Sequence, residues 1–279
     1  MTHTTAIYKP TFMQTLLGRN YKWWYVFYHS YQVSNTSFGL KVFIQISIII
    51  QALIVLWIWQ LGNASITVFT YLIIGRIYKS LSDTYIFDPI GNQIISGEIN
   101  KDMLLPQSYF KMQLFRSFGF RAMDNLISAV GMSFAGLIAV LTFAKVSFNL
   151  NELLILILFL PISYFIQFLL GLCVGFSAFF LNDKRNFAGI NRVYNTIFLV
   201  IFVGTVLPLD KLPFSLTKIA EMLPFAYFLH HPMQVYLGKY DFNQTLMVFA
   251  GGIAWCFALY FLAKWVFKMG LKRNEAVGL

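Results

Sequence analysis

Ionisable side chains set in apolar sequence are where this chain's chemistry would sit, because charge is costly in hydrocarbon. Arg76, Lys79 and Asp83 occupy i, i+3 and i+7 of an apolar run from about Ile66 to Phe87. That spacing places them on one helical face. Such a trio either lines a transport path or marks where the helix leaves the membrane, with Lys79 and Asp83 pairing at i,i+4 in water. The second reading is favoured, since a helix seldom exits to the cytoplasm without charge. Arg121 and Asp124, at i and i+3, read as an interfacial pair. Gln45, Gln51, Gln167 and Asn195 are neutral polar groups inside apolar runs, suited to interhelical hydrogen bonds or to a path lining. There is no succession of intramembrane carboxylates, so proton-coupled transport has little support.

Enzymatic chemistry is harder to find. His230 and His231 are adjacent, so on a helix they point in different directions, which disfavours a shared metal. Cys173 and Cys256 lie deep in apolar runs without ligand or disulfide spacing, and read as packing residues. The sequence holds no G-x-x-x-x-G-K-[ST] phosphate loop and no evident nucleophile–base set. The chain is therefore expected to be no enzyme, with no catalytic residue, metal or cofactor of its own. If ATP drives it, the nucleotide sits on another polypeptide.

The elements that must position these residues are set by composition. Hydrophobic residues make up 58% of the 279 and charged residues 11%, with mean hydropathy +0.66. Soluble domains carry about 25% charged residues, and a globule of this size must still present a largely wettable surface. A bilayer removes that demand. Thirty Phe, 15 Tyr and 6 Trp suit a membrane protein with aromatic residues at its interfaces. A span needs roughly 20 mainly apolar residues. Six runs qualify: from Lys41 to Trp59, Ile66 to about Phe87, Ala122 to Ala144, Leu153 to Leu181, Val193 to Leu207 (which is short) and Leu246 to Phe267. Met1 to Asn20 is polar and lacks the apolar stretch of a signal peptide, so the first run is expected to be a retained span.

Two segments fit neither span nor plain loop. Phe12 to Gln32 mixes Arg19, Lys22 and His29 with Trp23, Trp24, Phe27 and other apolar residues. It reads as a helix lying in the membrane interface; a solvated leader is the alternative. Pro208 to Lys239 contains Pro208, Pro213, Pro224 and Pro232 and never stays apolar long enough to span. Short hydrophobic pieces broken by proline suggest re-entrant or surface-lying helices, whose backbone must be buried in protein or near water.

Six spans place both termini on one side. Of the 21 Lys and Arg, only Lys145, Lys211, Lys218 and Lys239 fall on the opposite side. Arg76 and Lys79 lie within a run, which leaves fifteen on the terminal side. Positive residues favour the cytoplasm, so both termini are expected there. A net charge of +10 thus reports topology, and no nucleic-acid partner is expected. Small residues permit close helix approach. Gly171 and Gly175 form a G-x-x-x-G, Gly131 and Ala135 repeat the spacing, and Gly251 and Gly252 lie beside Ala250, Ala254 and Ala258. These are helix-packing candidates, within one chain or across a dimer.

Three segments carry a resemblance to the ABC-2 type transporter permease family, the small six-span permeases of ABC exporters. Ile94 to Phe110 resembles its I-x-x-G-E-[IL]-x-x-x-L-L-x-P signature through Gly97, Glu98, Ile99, Leu104, Leu105 and Pro106. Leu207 to Lys239 resembles its outer segment through Pro208, Leu209, Leu212, Pro213, Leu223, Pro224, Phe225, Pro232 and Gly238. The terminus resembles its G-L-[RK]-R-[YF]-x-[AS]-x-G pattern at Gly270, Leu271, Lys272, Arg273, Ala276 and Gly278, with Asn274 departing from the usual aromatic.

The resemblance covers essentially the whole chain. It implies an all-α membrane protein with six transmembrane helices, an N-terminal interfacial helix, a cytoplasmic coupling helix and re-entrant helices before the last span. A single transmembrane domain would fill 1–279. A leader over 1–40 precedes a six-span region over 41–267, and a cytoplasmic tail covers 268–279. The six-span region holds a coupling segment at 88–116 and an outer re-entrant segment at 208–240. Implied partners are cytoplasmic ABC ATPase subunits carrying ATP and magnesium, a second permease (identical or similar) and membrane lipids, in a bacterial-type inner membrane. A short helix from about Gly91 to Pro106 would dock in an ATPase groove. Ile94, Ile95, Ile99, Met103 and Leu104 would form its apolar stripe, with Glu98, Lys101 and Asp102 making rim ion pairs; a solvated loop is the bland alternative. The expected cargo is amphiphilic: lipid, drug, peptide or glycan. An ion-driven secondary carrier, a membrane enzyme and a non-transporting scaffold remain the rival functions.

Overall fold

Apolar runs broken by polar or proline-bearing turns fold into helices, and no strand occurs among the described residues. The computed structural model describes residues 20–34, 38–63, 65–84, 86–142, 149–181, 183–195, 202–205 and 208–277. The helices are α1 (Tyr21–Ser34), α2 (Phe38–Leu61), α3 (Ile66–Ser82), α4 (Phe87–Ile95), α5 (Ile99–Met103), α6 (Tyr109–Thr142), α7 (Leu150–Phe176), α8 (Lys184–Val193), α9 (Phe214–Met222), α10 (His230–Tyr236) and α11 (Phe242–Val277). Short 3-10 turns occupy Ser177–Phe180, Leu209–Lys211 and Pro224–Phe228.

Four stretches are helical, long and apolar enough to cross a membrane: Lys41–Leu61, Tyr109–Thr142, Leu150–Phe180 and Phe242–Arg273. They fall on the first, third, fourth and sixth expected runs. The third begins at Tyr109 rather than Ala122, because the helix continues through the charged stretch before it. The second run forms α3, only 17 residues long, or about 26 Å. Most of the fifth run and the first part of the leader lie outside the described residues. Within the leader, α1 packs along the first third of α6: Trp23 stacks on Phe115 at 5.3 Å. Gly119 sits against the Phe27 carbonyl, so a β-carbon there would strike backbone.

Helix α7 is the hub, packed by α11, α4, α10 and α3. Its start is marked by Asn149, whose side chain accepts from the Asn151 N–H at 3.1 Å, and by Glu152 in the first turn. The glycine pair has its partner within the chain. A β-carbon on Gly171 would meet Ile86 Cγ2 at 2.5 Å, and one on Gly175 would meet Ile90 Cγ2 at 3.0 Å. Gly131 packs on Ile49 of α2, while Gly251 and Gly252 pack on Tyr227. Gly175→Val is expected to overpack the α4–α7 contact at a cost of about 1–3 kcal/mol, read as a lower melting temperature in detergent. Gly189→Ala, within α8 at a site with open space around it, should not lower melting and is expected to raise it slightly through helix propensity.

The proline-rich segment before α11 reaches into the bundle. Ser163 of α7 donates to the Tyr227 carbonyl at 2.6 Å and receives the Tyr78 hydroxyl at 2.6 Å. Leu229 and Met233 pack on Gly75. Ser163 lies 13 residues into α7, about 20 Å along it. The same segment contacts the beginning of that helix, where the Asn149 N–H donates to Tyr236 Oη at 3.4 Å.

Candidate functional site

The segment joining α3 to α6 is built as two short helices on either side of a break at Gly97, not as the single helix expected from Gly91 to Pro106. α4 buries Phe87, Ile90, Gly91 and Ile94, the i, i+3, i+4, i+7 stripe of an amphipathic helix. This stripe faces α7 and the 3-10 turn after it. Phe187 of α8 closes over Gly91, and Asn191 bonds the Asp88 carboxylate. Gly97 then adopts φ +73°, a left-handed helix terminator natural to glycine. After the turn, α5 points Ile99 inward at 0% exposure.

The apolar stripe expected to face a partner is therefore divided. Ile94 and Ile99 belong to the core. Leu104 at 86% and Leu105 at 44% are exposed, with Met103, just before Pro106. Asp102 is likewise engaged within the chain. Arg116 of α6 holds it through both guanidinium nitrogens, Nη2 at 2.9 Å from Oδ1 and Nη1 on Oδ2. Glu98 and Lys101 remain exposed.

A second constellation lies where α3 ends. Lys79 pairs with Asp83, as its spacing suggested, and both side chains are part-buried, at 17% and 35% exposure. Its Nζ also donates to Gln167 Oε1 of α7 at 2.8 Å. Arg121 reaches Asp83 at 3.3 Å and Asp124 at 3.7 Å, and Lys41 of α2 meets Asp124 at 2.9 Å. Besides the neutral hydrogen bond to Gln167 of α7, three helices (α2, α3 and α6) are thus tied by charged groups. These groups border a cavity of about 420 Å³, which Arg76 also lines. Sequence spacing located each residue but not their meeting, since Lys41, Gln167 and Arg121 come from separate helices.

In the outer segment Pro208, Pro224, Phe225 and Pro232 are buried, Pro213 is exposed, and Gly238 has φ +66° at the turn into α11. The two histidines have separate partners. His231 donates from Nε2 to the Glu221 carbonyl at 2.9 Å and accepts the Tyr240 hydroxyl at Nδ1, 3.1 Å. His230 donates to the Glu221 carboxylate at 3.3 Å. Burial, with His230 adjoining, lowers the His231 imidazole from 6.5 to about 4. The hydrogen bond from His230 holds the Glu221 carboxyl below its usual range. His231 is therefore neutral in the fold but takes a proton when unfolded, so its contribution erodes as pH falls from about 6.5 to about 4. Glu221 acts in the same direction at lower pH. The melting temperature is expected to fall across this window, with His231→Gln flattening the dependence.

Long apolar helices joined by charged loops, with a proline-bearing segment set into the bundle, define an α-helical multi-pass membrane protein. Residues 38–278 match the family model described as ABC-2 family transporter protein, and the chain belongs to that family. It is thus a membrane component of a transport system. Neither the curated proteins nor the solved structures provide a match.

Proposed function

We propose that the chain is the transmembrane permease subunit of an ATP-binding-cassette exporter. In this reading it dimerises, or pairs with a similar permease, and binds separate cytoplasmic ATPase subunits that carry ATP and magnesium. Six spans run through 41–267, with α3 and the run near 193–207 supplying the second and fifth. The leader, the α4–α5 segment and the tail face the cytoplasm of a bacterial-type inner membrane. The segment at 208–240 is re-entrant from the outer face.

The observation that supports this best is the division of labour in the α4–α5 segment. One face is fixed to α6 and α7 through Ile94, Ile99 and Asp102–Arg116. The other offers Leu104 and Leu105 with Glu98 and Lys101 at their rim. An element anchored on two spans and apolar at its tip suits helix-in-groove docking to a moving partner. Binding energy would sit in the leucines and charge steering in Glu98.

The test is reconstitution with a phosphate-loop ATPase, sought first among the genes adjoining this one. ATP-dependent export requiring both proteins supports the proposal. Gradient-driven transport by the chain alone would sink it in favour of a secondary carrier. Within the complex, Glu98→Arg is expected to slow association by roughly tenfold at low salt and less at high salt, read by surface-immobilised binding kinetics.

A further inference from the structure

From two adjoining cavities we infer a binding site for an amphiphile with an anionic head group, entered from the membrane layer where α1 lies. The first is the cavity of about 420 Å³ bordered by Lys41, Arg76, Lys79, Arg121, Asp83 and Asp124. Four cations face two carboxylates. Lys41 reaches Asp124, Lys79 reaches Asp83 and Arg121 reaches both, while among the described residues Arg76 has no ion-pair or hydrogen-bond partner, and its Nε is buried. An excess of positive charge removed from water is costly unless an anion compensates it. The guanidinium fork suits a phosphate, sulfate or carboxylate.

The second cavity, of about 950 Å³, is lined by Trp23, Trp24, Phe27, Phe115, Phe118 and Tyr164. Arg121 and Asn125 border both cavities. An apolar aromatic chamber therefore opens beside a cationic one, with a shared polar threshold between them. A ligand that fills both has an apolar body and a negative head. Both volumes lie within the range of small-molecule sites. The aromatic walls come from α1, α6 and α7. The amphipathic helix is thus one side of a ligand chamber, and not only a membrane anchor.

This deepens the permease reading by naming a cargo class, and the cargo role rests on that reading. Binding is measured without the ATPase, so the two can fail independently. The full chain is placed in phosphatidylcholine nanodiscs containing either brominated-acyl phosphatidylglycerol or brominated-acyl phosphatidylcholine. Bromine quenching of Trp23 and Trp24 is taken as the difference from a Trp23→Phe/Trp24→Phe variant.

The anionic lipid is expected to half-saturate quenching at a roughly tenfold lower fraction than the zwitterionic one. Arg76→Gln should remove that preference and Arg76→Lys should keep most of it, each checked for a monodisperse, helical preparation. Equal quenching by both head groups overturns the site, as does an unchanged preference in Arg76→Gln. Inorganic phosphate at millimolar concentration should leave the lipid signal unaltered. Displacement of the lipid by phosphate alone would instead make this a free-anion site and overturn the amphiphile assignment.

Discussion

Replacing Leu104 and Leu105 together by aspartate is expected to strip the chain of the ATPase partner proposed for it while leaving its fold intact. Leu104 is 86% exposed and Leu105 44%, so neither substitution empties a core position. Pro106 ends the segment, and the Gln107 N–H turns back to the Leu105 carbonyl at 2.7 Å, which holds the two side chains on a tight bend. Apolar anchors at the centre of an interface typically cost about 2 kcal/mol or more when lost, equivalent to roughly 30-fold weaker binding. Placing charge in an apolar groove adds desolvation to that loss.

Co-purification from detergent should fall accordingly, with the melting temperature unchanged and Leu104→Ala intermediate. Retention of the ATPase at the unmodified level would exclude this tip as the docking point. Ile99→Asp is a poor substitute for this experiment despite its place in the same motif. Ile99 is fully buried, and a charge there would disturb folding before it disturbed binding.

That contrast shows which parts of the segment were legible in sequence. The G-E-I-x-x-x-x-L-L-P run from Gly97 to Pro106 holds residues of two kinds, and only the fold separates them. Gly97 needs its positive φ, Ile99 seals the segment against the bundle, and Leu104 faces out. A helical wheel drawn through Gly91 to Pro106 gathers Ile95, Ile99 and Met103 on one face and sets Ile94 and Leu104 off it, and the helix break at Gly97 removes even that alignment. The start of α6 was hidden for another reason. Lys111, Arg116 and Arg121 depress hydropathy over the first turns, although the helix runs through them.

Apolar length was the dependable signal, and four of the expected runs are helices of membrane-crossing length. The glycines of α7 were visible as packing residues, but spacing could not reveal that α4 of the same chain covers them. The chamber walled by Trp23, Phe115 and Tyr164 had no signature at all, because its sides come from three separate helices far apart in sequence.

Breaking the Asp102–Arg116 pair is expected to uncouple the two proteins without separating them. Docking and transmission fall on different residues of one segment. The leucines would hold the ATPase, and the bidentate contact ties α5 to α6. Asp102 is 12% exposed and Arg116 29%, between the buried pairs whose rupture is severe and the surface pairs that contribute little. A loss of roughly 1–3 kcal/mol in anchoring of the segment is therefore expected for Asp102→Ala. Ile99 and the α4 stripe still hold the segment to the bundle, so the tip stays presented and co-purification persists.

What changes is stiffness. Movement imposed at Leu104 would be absorbed in the segment instead of reaching α6, so ATP-driven transport in proteoliposomes should fall by about tenfold or more at undiminished ATPase binding. The exchange Asp102→Arg with Arg116→Asp restores the attraction and should recover part of that loss. Recovery in the exchanged pair, with neither single variant active, would locate the transmission step at this contact. Full activity in Asp102→Ala would assign it to the apolar anchors of α4 and α5 instead.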